Sequence, residues 1–326
     1  MNADNNKQGA FAALGGGLAR ALQWRMLVLW AAGLAIPALV ATLPMWQALS
    51  ARLDHSVHAS TIAQRFDFGW MFETVVPMLK DNGDALSGAG IASVLLALLI
   101  SPWLTGMVVA SIRAGDTLRF GNLLQFGLRE YGRMARMLLW AAIPLGIAFA
   151  IFGGVSGWAE KQANLAILPN GADNAQRIAM LVLGVAFVLA HATVEAGRGM
   201  LAAEPSKRSV VKAWWRGTQM FARRPIAVLV VYLGTMLAGE GLALAFAFAR
   251  TQVTAASVGG FVIGLLLVQL VVAAIAWGRV ARLYGMATLA RDAQHRHSVR
   301  HARRAEAAAH HAATPAAESM TAAAVA

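Results

Sequence analysis

Six long apolar stretches with almost no charge constrain this chain more than any other feature. An α-helix rises about 1.5 Å per residue, so about 20 apolar residues cross the hydrocarbon core of a bilayer. Within these stretches the only Lys, Arg, Asp or Glu is Glu240. The stretches are residues 26–51, 85–112, 137–159, 178–194, 225–249 and 251–278. The sequence therefore predicts an all-α polytopic membrane protein with six transmembrane helices.

The predicted organisation is an N-terminal arm, a six-span membrane domain and a C-terminal tail. The arm is 1–25 and the domain 26–290, with spans at about 26–48, 88–110, 137–158, 178–198, 226–248 and 255–277. The first span is longer than the apolar region of about 7–15 residues in a cleaved signal peptide, so we expect it to be retained. The basic, His- and Ala-rich tail, 291–326, has no face to bury, which predicts disorder beyond about residue 305.

Composition agrees with a membrane location and excludes several classes of site. Hydrophobic residues make up 58% of the chain and charged residues only 13%, whereas soluble domains carry about 25% charged residues. The chain has no cysteine. Disulfides, thiolate nucleophiles and sulfur-ligated metals are therefore excluded.

The distribution of basic residues predicts which way the spans run. Of the 28 Lys and Arg residues, 22 fall in the arm, in the segments after spans two and four and in the C-terminal segment that begins at Arg279, and 6 fall on the other side. Basic residues are retained in the cytoplasm, so we expect a bacterial inner-membrane protein with both termini cytoplasmic. The net charge of +12 then lies next to anionic headgroups, and nucleic acid is not needed to explain it.

Two of the basic segments have the pattern of amphipathic helices lying in the membrane interface. They are 117–136 and 206–224, where apolar residues recur at helical spacing and basic residues lie largely elsewhere. The membrane lipids are thus the predicted partners. The residues expected to contact anionic inner-leaflet headgroups are Arg129, Arg133, Arg208, Lys212 and Arg216.

The order of span, basic surface helix and span occurs twice, in 88–158 and 178–249, and a Gly-Met pair ends the first span of each copy. A true duplication and a chance recurrence both remain open.

Over about residues 88–290 this pattern resembles a group of uncharacterised six-helix bacterial inner-membrane proteins. The group includes the membrane domain fused to some glycerophosphodiester phosphodiesterases. The resemblance implies fold and location only, because no residue here matches the phosphodiesterase catalytic domain.

A polar stripe at the end of span four is the first candidate site. His191, Glu195 and Arg198 follow at i, i+4 and i+7, which places them on one face of a helix. Ionisable groups at bilayer depth are costly and usually face a protein interior or a cavity. A proton relay or substrate contact is one interpretation, and a polar helix-packing cluster is the other.

Two further polar residues lie inside predicted spans. Glu240 stands between two glycines near the middle of span five, where an unpaired carboxylate is costly. Packing explains it less well than any other residue, and direct pairing with His191 requires a water or a tilted helix. Gln269 on span six is predicted to make an interhelical hydrogen bond rather than to bind a ligand.

No stretch carries a recognisable catalytic or phosphate-binding motif. His55 and His58 are weak candidate metal ligands, because the spacing is common and fixes no third ligand. We therefore expect no cofactor and a non-enzymatic accessory or envelope-organising protein. The alternatives are a small proton-coupled transporter using Glu240 with the His191–Glu195 stripe, and, third, an intramembrane enzyme.

Overall fold

A computed structural model describes residues 3–54, 68–165, 169–205, 209–254 and 257–325. Over these ranges the chain is helical, with short turns and no strand. The helices are α1 Ala3–Arg20, α2 Trp24–Leu53, α3 Phe68–Asp81, α4 Gly83–Ala114, α5 Phe120–Leu165, α6 Pro169–Ala203, α7 Val210–Arg223, α8 Pro225–Thr251 and α9 Val258–Val325.

The predicted fold class is confirmed. Six of the helices, α2, α4, α5, α6, α8 and α9, are long and apolar enough to cross a membrane. The protein is an all-α polytopic membrane protein, and its six spans correspond to the six apolar stretches of the sequence.

The two predicted surface helices differ in how they join the following span. The first belongs to α5, a single helix of 46 residues that also contains span three. The second is the separate helix α7, because Arg224 leaves the helical conformation (φ −140°, ψ 58°) and Pro225 begins α8. A residue before proline avoids the helical region, whereas no proline interrupts α5 before Pro144. Proline therefore accounts for the difference.

The C-terminal tail differs from the sequence prediction. Disorder was expected beyond about residue 305, but the backbone of α9 continues as a helix to Val325. Alanine has the highest intrinsic helix propensity, and the tail is rich in it. Local propensity therefore accounts for a helix even though the sequence offers no apolar face for packing.

The buried core lies at one end of the bundle, which we call the packed end. It contains α1, α7 and the first half of α5, together with the adjoining ends of all six spans. In α4, for example, the buried residues begin only at Pro102 and run to Ile112. In α6, the buried part of the main core begins at Ala192.

At the opposite end, which we call the splayed end, the spans pack mainly as three pairs. Ser93 of α4 donates a hydrogen bond to the carbonyl of Pro37 in α2, at 2.8 Å. α5 and α6 share a small separate cluster of Ala159, Ala175 and Ala179, and α8 packs along α9. Many large apolar side chains are exposed here, as expected for surfaces that face lipid.

The same glycine contact recurs where a surface helix crosses a span. In each case a Cβ atom added to one of the glycines would collide with the backbone of the opposite helix, so only glycine permits the approach. The pairs are Gly106 with Gly127, Gly197 with Gly217, and Gly285 with Gly17. The first two pairs belong to the two sequence repeats. The third joins α9 to α1, so the two ends of the chain form a third unit of the same kind.

Candidate functional site

The polar stripe of α6 is buried inside the bundle. Glu195 is only 7% exposed. Its Oε1 atom lies 2.6 Å from Nη1 of Arg198 and 3.7 Å from Nε2 of His191. The helical spacing that placed the three residues on one face therefore also brings them into contact.

Helices α8 and α9 add two residues that the sequence analysis did not identify. Tyr232 is 2% exposed, and its hydroxyl shares a hydrogen bond of 2.8 Å with Nδ1 of His191. The guanidinium of Arg282 lies 5.0 Å from the centre of the Tyr232 ring. Phe187 stacks on a face of the imidazole, with ring centres 5.7 Å apart. The imidazole thus connects Glu195 of α6 with Tyr232 of α8.

Residues of α9 beyond the predicted end of span six are also packed inside the bundle. Gly278 packs against Gly239 of α8 without room for a side chain, and Asp292 bonds Arg224 at the start of α8 at 2.6 Å. The predicted span ended at residue 277. Arg282 instead lies beside Tyr232, which is about 10 Å along α8 from Pro225. Leu283 and Met286 are buried beyond it, so the apolar pattern continues past this arginine.

Glu240 also belongs to this region. It follows Gly239 at the closest approach of α8 and α9, where Arg279 follows Gly278. The charges of Glu240 and Arg279 interact, although no ion pair within 4 Å joins them in the described part of the chain. Glu240 is half-buried and Arg279 is exposed. The cation whose charge acts on Glu240 is therefore Arg279, and His191 is engaged by Glu195 and Tyr232 instead.

Gln269 does not join this cluster. Its side chain is exposed, and it makes no hydrogen bond to the described residues. The predicted interhelical bond is therefore wrong. Its position on α9 lies toward the splayed end, where that helix is mostly exposed.

A second buried ionic group lies at the same end of the molecule, between α4, α5 and α6. Glu130 bonds Arg113 at 2.5 Å and Arg133 at 3.2 Å. Arg113 also donates to the carbonyl oxygens of Leu201 and Ala202, at 2.6 Å and 3.4 Å. These carbonyls lie in the last turn of α6, where helices lack internal donors. The group therefore ties three helices together and satisfies one helix end.

The residues predicted to contact headgroups differ in whether their side chains are exposed or bound within the protein. Arg133 is engaged within the protein, by Glu130 and by the carbonyl of Pro205 at 3.3 Å. Lys212 and Arg216 are exposed on α7, although Arg216 also pairs with Glu204 at 3.4 Å. Arg129 is exposed and lies over the ring of Phe126, and Arg208 lies outside the described residues.

Helix α7 buries one face and exposes another. Its buried residues are Val210, Ala213, Gly217 and Met220. Val211 lies on the opposite side and is 46% exposed. The close glycine contact with α6 rotates the small residues inward, which turns this valine outward.

The weak metal candidates are not tested by the structure. His55 and His58 lie outside the described residues. Among the residues that are described, no three His, Asp or Glu side chains form a group that could hold a metal ion.

The chain was compared with known families and proteins. No protein-family model matches it, and neither a curated protein nor a solved structure is detectably similar to it. The resemblance to the six-helix inner-membrane group therefore stays a prediction.

Proposed function

We propose that this chain is a non-enzymatic, multi-pass protein of the bacterial inner membrane that organises anionic lipid at the inner leaflet. Both termini and the packed end lie on the cytoplasmic side. The proposal rests mainly on α7, which buries one face against the bundle and presents Lys212 and Arg216 on the other. A basic helix at a membrane surface attracts acidic headgroups with about 1 kcal/mol per basic side chain.

The charge distribution supports the same orientation. Arg282, which the sequence analysis assigned to the cytoplasmic side, lies within the bundle. The remaining bias is still 21 to 6 in favour of the side that carries α7. Such a bias favours the cytoplasm for the packed end.

The lipid proposal is tested by native mass spectrometry of the full chain in nanodiscs that contain phosphatidylglycerol and phosphatidylcholine. Wild-type protein is expected to retain phosphatidylglycerol preferentially. The double variant Lys212→Gln and Arg216→Gln should retain about tenfold less. Arg52→Gln, at the splayed end, is the matched control and should behave as the wild type. Equal retention by the double variant and the wild type would contradict the proposal.

A small proton-coupled transporter is the second candidate, supported by the chain of contacts from Glu195 through His191 to Tyr232 inside the spans. Transport predicts that His191→Ala and Glu240→Gln accumulate in the membrane at wild-type levels but do not complement a deletion strain. If both variants instead fail to accumulate, the residues serve packing and transport loses its support.

A further inference from the structure

A groove of about 450 Å³ lies between α5 and the start of α7, where the second surface helix meets span three. Beside it, Trp140 of α5 packs edge-on against Trp214 of α7, with ring centres 5.6 Å apart. The described residues that line the groove are Arg136, Leu139, Trp140 and Ile143 of α5 and residues 209–211. Leu139 is 73% exposed, so the groove opens to the outside of the bundle, where lipid lies.

The wall that α5 gives to the groove changes from charged to apolar along the helix. Arg136, Trp140 and Ile143 follow at i, i+4 and i+7, which places them on one helical face. Arg136 immediately precedes the predicted start of span three, and Ile143 lies about 10 Å further along the helix, inside the span. Ile147, one turn beyond, is 59% exposed. This order is complementary to a phospholipid, which has an anionic headgroup followed by an acyl chain.

The guanidinium of Arg136 can take an external partner. The side chain is exposed, and its Nε donates to the carbonyl of Gly132 in the same helix at 3.0 Å. In the described part of the chain no carboxylate lies within 4 Å of it. Arg133, one turn earlier, is instead paired with Glu130 at 3.2 Å. A phosphate on Arg136 would therefore supply the charge that the protein provides to Arg133.

The sequence that begins span three occurs a second time, at the start of span one. Residues 25–32 read RMLVLWAA and residues 136–142 read RMLLWAA, and an Ile-Pro pair follows each. The methionines of the two segments, Met26 and Met137, are both fully buried. The two spans therefore begin in the same way, and α2 provides an internal comparison for α5.

The arginine of α2 is covered by the protein itself. Trp24 packs edge-on against Phe120, the first residue of α5, with ring centres 5.3 Å apart. Arg25 lies over the ring of Trp24, 5.5 Å from its centre. The residue before Arg136 is Ala135, whose methyl group cannot cover a guanidinium in this way. The α5 arginine is thus left to a partner from outside.

We infer that this groove binds one anionic phospholipid, with its phosphate on Arg136 and an acyl chain along Leu139 and Ile143. A guanidinium group holds phosphate oxygens with two parallel hydrogen bonds. The inference rests on the proposed function, which brings anionic lipid to this end of the bundle, and it deepens that function by naming a single binding site. Lys212 and Arg216 are not among the described residues that line the groove, so the two proposals can be tested separately.

The test uses native mass spectrometry of the full chain from nanodiscs that contain equal amounts of phosphatidylglycerol and phosphatidylcholine. As the collision energy is raised, wild-type protein should keep one phosphatidylglycerol after its other lipids have dissociated. Arg136→Gln should keep this last lipid about fivefold less, because it loses one basic contact. Ile143→Trp, which fills the apolar part of the groove, should reduce retention to a similar extent.

Helix α2 provides the matched controls. Arg25→Gln changes the arginine of the repeated sequence, and Ile36→Trp changes the isoleucine before the first proline of that helix. Ile36 is 51% exposed and Ile143 is 49% exposed. Both control variants should keep the last phosphatidylglycerol as the wild type does. If a groove variant fails to accumulate, Val211→Trp replaces it, because it narrows the groove from α7 and should also reduce retention.

The inference is overturned if the wild type keeps no last phosphatidylglycerol or keeps phosphatidylcholine equally well. It is equally overturned if either groove variant keeps the last lipid as well as the α2 variants do. If only the Lys212→Gln and Arg216→Gln double variant loses phosphatidylglycerol, the groove fails and the proposed function stands. If only the groove variants lose it, the role of α7 in the proposed function fails and the groove stands.

Discussion

The two ends of the bundle use the same six helices in different ways. At the packed end, glycine contacts bring surface helices and spans together, and two buried polar groups connect α6 with α4 and with α8. At the splayed end, the spans pack mainly in pairs and expose large apolar side chains. The difference indicates that tertiary stability and any binding chemistry are concentrated at the packed end, while the splayed end depends on lipid.

The largest effect is expected from Glu195→Gln. The change leaves Arg198 without its carboxylate partner, and breaking a buried pair costs about 3–5 kcal/mol. Urea unfolding in detergent should show this loss in the free energy of unfolding. Glu160→Gln, an exposed carboxylate at the splayed end, is the matched control and should change little. Similar losses in the two variants would remove the distinction between the ends.

A somewhat smaller effect is expected from Gly197→Leu. A Cβ atom at this position would lie 2.7 Å from Met137 Cε and 2.9 Å from Trp214 Cα, so the larger side chain forces α7 away from α6. Overpacking of this kind costs about 3 kcal/mol. Gly184→Leu, on the same helix with open space around it, should retain its midpoint. The thermal unfolding midpoints and the amounts of protein in the membrane are compared for the two variants. Equal values for Gly197→Leu and Gly184→Leu would contradict the prediction.

Glu130→Gln should cost less than Glu195→Gln, about 2 kcal/mol. Arg113 retains its bonds to the carbonyls of Leu201 and Ala202, so the change leaves less charge unmatched. The measurement is again the free energy of unfolding, with both variants in the same detergent. A larger loss of unfolding free energy for Glu130→Gln than for Glu195→Gln would show that the arginines around Glu130 depend more on their carboxylate partner than Arg198 does.

The smallest effect is expected at the splayed end. Leu181 is 68% exposed, and substitutions at such surface positions usually change stability by less than about 0.5 kcal/mol. Leu181→Ala should therefore unfold as the wild type does. A loss comparable to that of Glu130→Gln would reveal packing at this end that the paired helices do not explain.

The spans could be predicted from sequence because long charge-free runs have few alternatives. The break before α8 is also encoded locally, by Pro225, whereas the continuous α5 follows from the absence of proline before Pro144. Helical spacing likewise brought His191, Glu195 and Arg198 together. These features depend on residues close to one another in the chain.

The remaining half of the site depends on tertiary contacts. Tyr232 and Arg282 belong to other helices, and no local pattern connects them to His191. One signal was present, because the apolar pattern resumes after Arg282 with Leu283 and Met286. A span allowed to continue through that arginine would have placed it inside the bundle. The inward rotation of α7 has no such signal, since it follows from the contact between Gly197 and Gly217.

Orientation is tested most directly by labelling single cysteines in intact cells. The natural chain has no cysteine, so Lys80→Cys at the splayed end and Lys212→Cys on α7 provide clean, exposed reporters of the two ends. With a membrane-impermeant maleimide, Lys80→Cys should react at once, and Lys212→Cys should react only after the membrane is permeabilised. Labelling of Lys212→Cys in intact cells, with Lys80→Cys protected, would contradict a packed end that faces the cytoplasm.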